Sequence, residues 1–254
     1  METPFIQTLL MALVVGIASG SVGAFIILKR MALVGDALSH VALPGIALAL
    51  AYRVDPFWGV LVFLLGAAVL VWWLEGKTKL PVEALVGLLF TASLAVGILT
   101  IPDTEILESL FGTFPAFSPY VLTAVLALAV ILAGATFLWA KRFLFAVVSP
   151  ELAKVSSGKK WEGLILFIVF AFVVALGIKL VGTLLMGALT IIPASVAKNI
   201  SRSMTGFMVL STALGGLIAL GGVVIAGAFG LLPGPTIILL GVGLFIVSLL
   251  LGRK

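Results

Sequence analysis

Nine apolar runs follow one another along the chain, at roughly 5–28, 32–52, 57–74, 82–101, 117–139, 162–180, 181–198, 205–230 and 234–251, with no polar stretch of domain size between them. A bilayer crossing takes about 20 predominantly apolar residues, so each run is long enough to be read as a membrane span. Charge is correspondingly scarce. Of the residues, 63% are hydrophobic and 10% charged, where a soluble globular domain carries about 25% charged residues. One water-soluble core cannot hide that much apolar surface. The runs lack the alternation of barrel strands, and in hydrocarbon only helices or closed barrels satisfy the backbone. The sequence therefore predicts an all-α integral membrane protein, with residues 1–254 forming one transmembrane domain of about nine helices. The turn between the sixth and seventh runs rests on Lys179 and Gly182 alone, and eight spans follow if it does not form. Residues 1–16 carry no basic region ahead of the apolar run and no clear cleavage site, which reads as a retained first span.

Orientation follows from the basic residues, which accumulate on the cytoplasmic side of membrane proteins. Strict alternation of nine spans groups Lys29, Arg30, Lys77, Lys79, the 141–160 loop, Lys198, Arg202, Arg253 and Lys254 on one side, leaving only Arg53 and Lys179 opposite. That bias predicts the N-terminus outside and the C-terminus in the cytoplasm. The segment PDTEILESLFGTFPAFSP then faces outward, and its Asp103, Glu105 and Glu108 form an acidic mouth that would concentrate cations.

Two polar residues fall inside an apolar run. MALVGDALSHVALPGIALA, residues 31–49, carries Asp36 and His40, the single histidine of the chain. At about 1.5 Å per residue, Asp36 lies about 9 Å and His40 about 15 Å along the helix from Arg30, too deep for either to reach the membrane surface. Their spacing of four puts them on one helix face. An ionised carboxylate at depth costs about 2.5–3.5 kcal/mol even on a lenient scale, so it must face protein or water and have a partner. Carboxylate plus neutral imidazole suits a divalent transition ion. A structural pair hydrogen-bonded to each other or to a neighbouring helix fits the same spacing, as does a proton relay. Pro44 and Gly45 interrupt the helix just beyond, and a proline frees a backbone carbonyl. With no cysteine in the chain, a metal would have to be held by carboxylate, imidazole, carbonyl or hydroxyl groups. Ser39 lies between the two polar residues. Thr190, Pro193 and Ser195 are further candidates to line a pathway around a second helix break, or to pack against a neighbour. The glycines of the 205–230 run suit close helix packing.

GDALSHVALPGIALA, residues 35–49, resembles the signature of the permease subunits of ABC importers for zinc and manganese, the metal-chelate or ABC-3 type. VGTLLMGALTIIPASVAKNIS at 181–201 is similar to the family's glycine- and alanine-rich helix. SPELAKVSSG at 149–158 resembles a segment of its large cytoplasmic loop, and LESLFGTF at 107–114 its external Leu-Phe-Gly segment. The resemblance implies a type II importer permease fold. It further implies that Asp36 and His40 are metal ligands in a pathway between two copies of the chain. Ser149, Pro150, Glu151, Leu152, Ala153 and Lys154 would form the coupling segment that docks on an ATPase. Ser149 departs from the Asp common in relatives, which bears on that contact only. Implied partners are a second copy, two ATPase subunits, an extracytoplasmic metal-binding protein and the lipid of a prokaryotic cytoplasmic membrane, with no nucleic acid. No cofactor is expected to be permanently bound; Zn²⁺ or Mn²⁺ would be cargo, and MgATP would sit only on the ATPase.

The chain carries no G-x-x-x-x-G-K-[ST], and SSGKKW at 156–161 lacks both the first glycine and the hydroxyl residue. A transport subunit powered by a separate ATPase is therefore expected, rather than an enzyme. The competing class is a proton-coupled secondary metal transporter using the same Asp and His. An intramembrane hydrolase fits poorly, because one histidine beside Ser39 and one deep acid do not place a nucleophile and base on facing helices.

Overall fold

The computed structural model describes residues 2–78, 80–100, 109–112, 119–148 and 161–251. Among them the chain is helical, without strands. The helices of eight residues or more are α1 (Glu2–Leu28), α2 (Ala32–His40), α3 (Ala42–Ala51), α4 (Pro56–Lys77), α5 (Val82–Thr100), α6 (Pro119–Leu138), α7 (Ala140–Val148), α8 (Trp161–Val181), α9 (Met186–Ile200), α10 (Met204–Phe229) and α11 (Pro233–Leu251). Eight of the nine expected runs appear as segments long and apolar enough to cross a membrane, α2 and α3 together making one of them. The ninth is α9. The turn at Gly182 does form, but α9 has 15 residues, about 22 Å of helix against a hydrocarbon core of about 30 Å. The expected 141–160 loop is corrected in its first part, where residues 141–148 belong to α7.

Local sequence explains where the helices stop and start. Asp55 caps α4 by accepting a hydrogen bond from the Phe57 amide at 2.8 Å, with Pro56 in the first helical position. Ser203 caps α10 by accepting from the Gly206 amide at 3.1 Å. α1 ends with Arg30 in the left-handed region (φ 60°), the Met31 amide reaching back to the Ile26 carbonyl and the Arg30 amide to that of Ile27. This pattern, usually built with glycine, closes the helix and returns the chain into α2.

The bundle has a buried centre and an apolar periphery. In α8 the most apolar window is 78% buried, in α6 17%, so α8 is core and α6 presents Val121, Val130, Ile131 and Leu138 outward. Apolar faces of that extent are expected where the solvent is lipid. α1 runs along α10 at close range: Gly16 meets Gly215 backbone to backbone, and Ser211 Oγ donates to the Gly20 carbonyl at 2.6 Å. Small residues suit this contact because, in lipid, helices are joined by close packing and interhelical hydrogen bonds. Phe143 of α7 is buried edge-on against Phe25 of α1 at 5.2 Å, which anchors the short amphipathic helix to the core. Asp55 and Lys179 pair at 3.4 Å, placing the start of α4 and the end of α8 at the same end of the bundle. Both side chains remain partly open to solvent, so the pair reports position more than stability.

Candidate functional site

α2 carries Asp36, half-buried, and ends at His40, which is buried. No hydrogen bond joins the two among the described residues. His40 Nδ1 is buried without a partner. Its ring stands edge-on to Phe90 of α5, centroids 5.0 Å apart at 67°. An unsatisfied buried polar atom costs about 1–3 kcal/mol, a cost that a structural pair bonded to itself would avoid. The two side chains therefore do not satisfy each other, and His40 Nδ1 is left open as a donor or acceptor.

The proline supplies a third polar group. α2 and α3 are divided at Val41, whose amide donates to the Leu38 carbonyl at 3.1 Å. Pro44 has no N–H for the carbonyl four residues before it, which is that of His40. The candidate ligand therefore sits at the break, with its main-chain oxygen released from the helical ladder.

Asp36 meets α9 from the side. A Cβ on Gly187, the second residue of α9, would collide with Asp36 Cα and lie 2.8 Å from Asp36 Oδ1. Glycine is required for this approach. It sets the acid beside the first turn of α9, where unpaired N–H groups and the positive end of the helix dipole favour a carboxylate. No cation is paired with Asp36 among the described residues, the nearest analogue being the Asp55–Lys179 pair at the bundle's end.

The other candidates are distributed less simply. Ser39 is buried, and its Oγ donates to the Asp36 main-chain carbonyl at 2.6 Å. Pro44 is buried at the break, whereas Gly45 packs on Gly59 of α4, which gives it a role in helix contact. Thr190 Oγ bonds the Met186 carbonyl at 3.1 Å and Ser195 Oγ that of Ile191 at 2.9 Å, both within α9. Of the two readings of these residues, pathway lining around a break or packing against a neighbour, the break itself is absent: Pro193 lies inside α9, and the chain turns at 182–185, before the helix begins. The acidic-mouth residues Asp103, Glu105 and Glu108 lie outside the described residues, as do Ser149 to Lys154 of the coupling segment. Sequence reading did not single out Gly187 or Phe90, although Gly187 falls within the second quoted segment.

Among the described residues no three His, Cys, Asp or Glu side chains converge. Asp36 and His40 fit part of a shell of N and O donors at about 2.0–2.2 Å. A separate cavity of about 480 Å³ lies between α1, α4, α6 and α8, with Asp55, Trp58 and Lys179 among its lining. Neither Asp36 nor His40 lines it.

The many-helix bundle, with eight segments long and apolar enough to cross a membrane and one of them divided beside two polar side chains, has the architecture of a multi-pass membrane protein. The model of the ABC 3 transport family matches residues 2–252, and the chain belongs to that family. It is 30% identical over 256 residues to the manganese import system permease protein ScaB of Streptococcus gordonii, covering 98% of this chain and 92% of that protein. It is equally 30% identical over 251 residues to the high-affinity zinc uptake system membrane protein ZnuB of Haemophilus influenzae, covering 95% of each. Among solved structures, PsaBC from Streptococcus pneumoniae in complex with Fab superposes with a TM-score of 0.81 at 31% identity, over 96% of this chain and 90% of the other.

Proposed function

We propose that this chain is the permease subunit of an ATP-driven importer of divalent transition-metal ions, Mn²⁺ or Zn²⁺. Two copies form the pathway in a prokaryotic cytoplasmic membrane, N-terminus outside and C-terminus inside. Two ATPase subunits dock on the 149–154 segment, and an extracytoplasmic binding protein delivers the ion to the acidic mouth. The observation that carries this reading is the buried, unpartnered Nδ1 of His40 one turn from Asp36, at a proline break in a membrane span. Asp36 carboxylate and His40 imidazole act as ligands, and the released His40 carbonyl supplies an oxygen donor. Oxygen and nitrogen donors of this kind suit Mn²⁺ and Zn²⁺ alike. In the proposed cycle, ATP binding opens the pathway outward and hydrolysis returns it inward. Only an ion gripped differently in the two states can be moved by that change.

The test is metal uptake by the permease–ATPase complex in proteoliposomes. Asp36→Asn and His40→Ala should each abolish uptake and metal-stimulated ATPase activity while the complex still assembles. Normal uptake in both would falsify the site. Uptake by the chain alone, driven by a pH gradient without nucleotide, would instead support the proton-coupled class.

A further inference from the structure

The segment 109–112 is tied to the turn between α8 and α9 by bonds that bridge 74 residues of sequence. Thr183 donates twice to the Ser109 carbonyl, from its amide at 2.9 Å and from its Oγ at 3.0 Å. The Leu184 amide donates to the Leu110 carbonyl at 3.1 Å. Thr183 is wholly buried and Ser109 nearly so. Gly112 and Gly182 both take left-handed backbone, φ 73° and 86°, a conformation that other L-residues rarely adopt. A Cβ on Gly182 would strike the Leu110 carbonyl, and one on Gly112 that of Leu180. Gly234 of α11 closes the joint, its Cβ position occupied by the carbonyls of Phe111 and Val181. Three distant segments thus meet backbone on backbone. The joint stands where an N-cap is missing: Leu185 makes no side-chain cap bond to α9. The clasp thus fixes the chain just before the start of α9, and Gly187, four residues beyond Thr183, is the residue pressed on Asp36.

We infer that Thr183 is a positioning residue for the metal site, holding the first turn of α9 against Asp36 through its two bonds to Ser109. The inference rests on the reading of Asp36 as a ligand. Its consequence is that the 109–112 segment, on the proposed outer side, sets the geometry of a site inside the membrane. A load applied at 109–112 shifts the α9 turn, and with it the glycine face that Asp36 leans on.

Three variants test this in the reconstituted permease–ATPase complex, read as apparent KM for Mn²⁺ and Zn²⁺, maximal uptake and basal ATPase rate. Thr183→Val removes the hydroxyl donor at nearly constant volume and should raise the apparent KM about fivefold, the size of one lost hydrogen bond. Maximal uptake and basal ATPase should stay within twofold. Thr183→Ser keeps the donor and should return KM to within twofold of the parent. If Thr183→Val does not assemble, Thr183→Ala removes the same hydroxyl without a clash and should show the same KM rise. A KM unchanged in the assembled hydroxyl-less variant, or raised equally in Thr183→Ser, overturns the inference. Asp36→Asn run alongside separates the two ideas: if it transports normally the ligand reading fails, whereas an inactive Asp36→Asn with an unmoved Thr183→Val KM removes the clasp alone.

Discussion

Two buried proline-bearing helices meet at Asp36, and they treat their prolines differently. In the span made by α2 and α3 the helix divides at Val41, three residues before Pro44. In α9 the helix runs through Pro193 without interruption from Met186 to Ile200. Each proline withholds a donor from the carbonyl four residues earlier, that of His40 in one case and of Leu189 in the other. What differs is the support. α9 is packed by α1, α2, α8, α10 and α11, so its helical path is imposed from many sides. α2 and α3 lean chiefly on α4, α5 and α9, and the span still exposes Leu33 and Leu48. A proline alone does not locate a functional break. In the proposed site the freed carbonyl is that of His40 itself, which is what sets the Pro44 break apart.

The contact common to both helices should be the most sensitive point. Gly187→Ala puts a Cβ into Asp36 Cα, where backbone and not a flexible side-chain tip must give way. Overpacking of that kind costs about 1–3 kcal/mol, and the displaced element here carries the proposed ligand Asp36. Metal uptake should fall at least tenfold, with a lowered melting temperature of the detergent-solubilised complex. Gly134→Ala, with open space around it, is the matched control and should leave both unchanged. Parental uptake in Gly187→Ala would mean that α9 does not bear on the site.

Much of this was visible in the sequence, for a physical reason. Apolar length fixes membrane spans because the bilayer has a fixed thickness, and the helices fall close to the apolar runs. Asp36 and His40 stood out because polar groups at that depth are expensive. What lay hidden is carried by the main chain. The amide bonds of Thr183 to Ser109 and of Leu184 to Leu110 use groups that every non-proline residue has, and the Thr183 hydroxyl that adds to them is one of many in the chain, so no composition marks the joint. The shortness of α9 depends on where Gly182 turns, and the approach of Gly187 to Asp36 on which helices become neighbours. Phe90 beside His40 is likewise indistinguishable in sequence from the other apolar residues of α5. The proposed coupling segment and acidic mouth fall outside the described residues.

The second effect in size concerns the break itself. Pro44→Ala restores an N–H four residues after His40 and lets α2 and α3 join into one regular helix. If the His40 carbonyl is one of the oxygen donors, drawing it into the helical ladder should raise the apparent KM for metal about tenfold, or about 1.4 kcal/mol. Thermal stability should hold or rise, since alanine is the better helix former. Binding measured by metal titration on the purified complex distinguishes this from a slowed cycle. An unchanged KM together with lower maximal uptake would assign the break to motion and not to ligation.

The smallest effect is expected in α9. Pro193→Ala restores a donor for the Leu189 carbonyl, but Leu189 is wholly buried, and the helix already follows its path without that bond. The flanking hydroxyls of Thr190 and Ser195 are committed to the Met186 and Ile191 carbonyls, so neither is released by the change. Metal KM and maximal uptake should therefore stay within twofold, and the melting temperature should rise. An effect on KM as large as that of Pro44→Ala would erase the distinction between the helices. It would place a second freed carbonyl, that of Leu189, among the groups the ion meets.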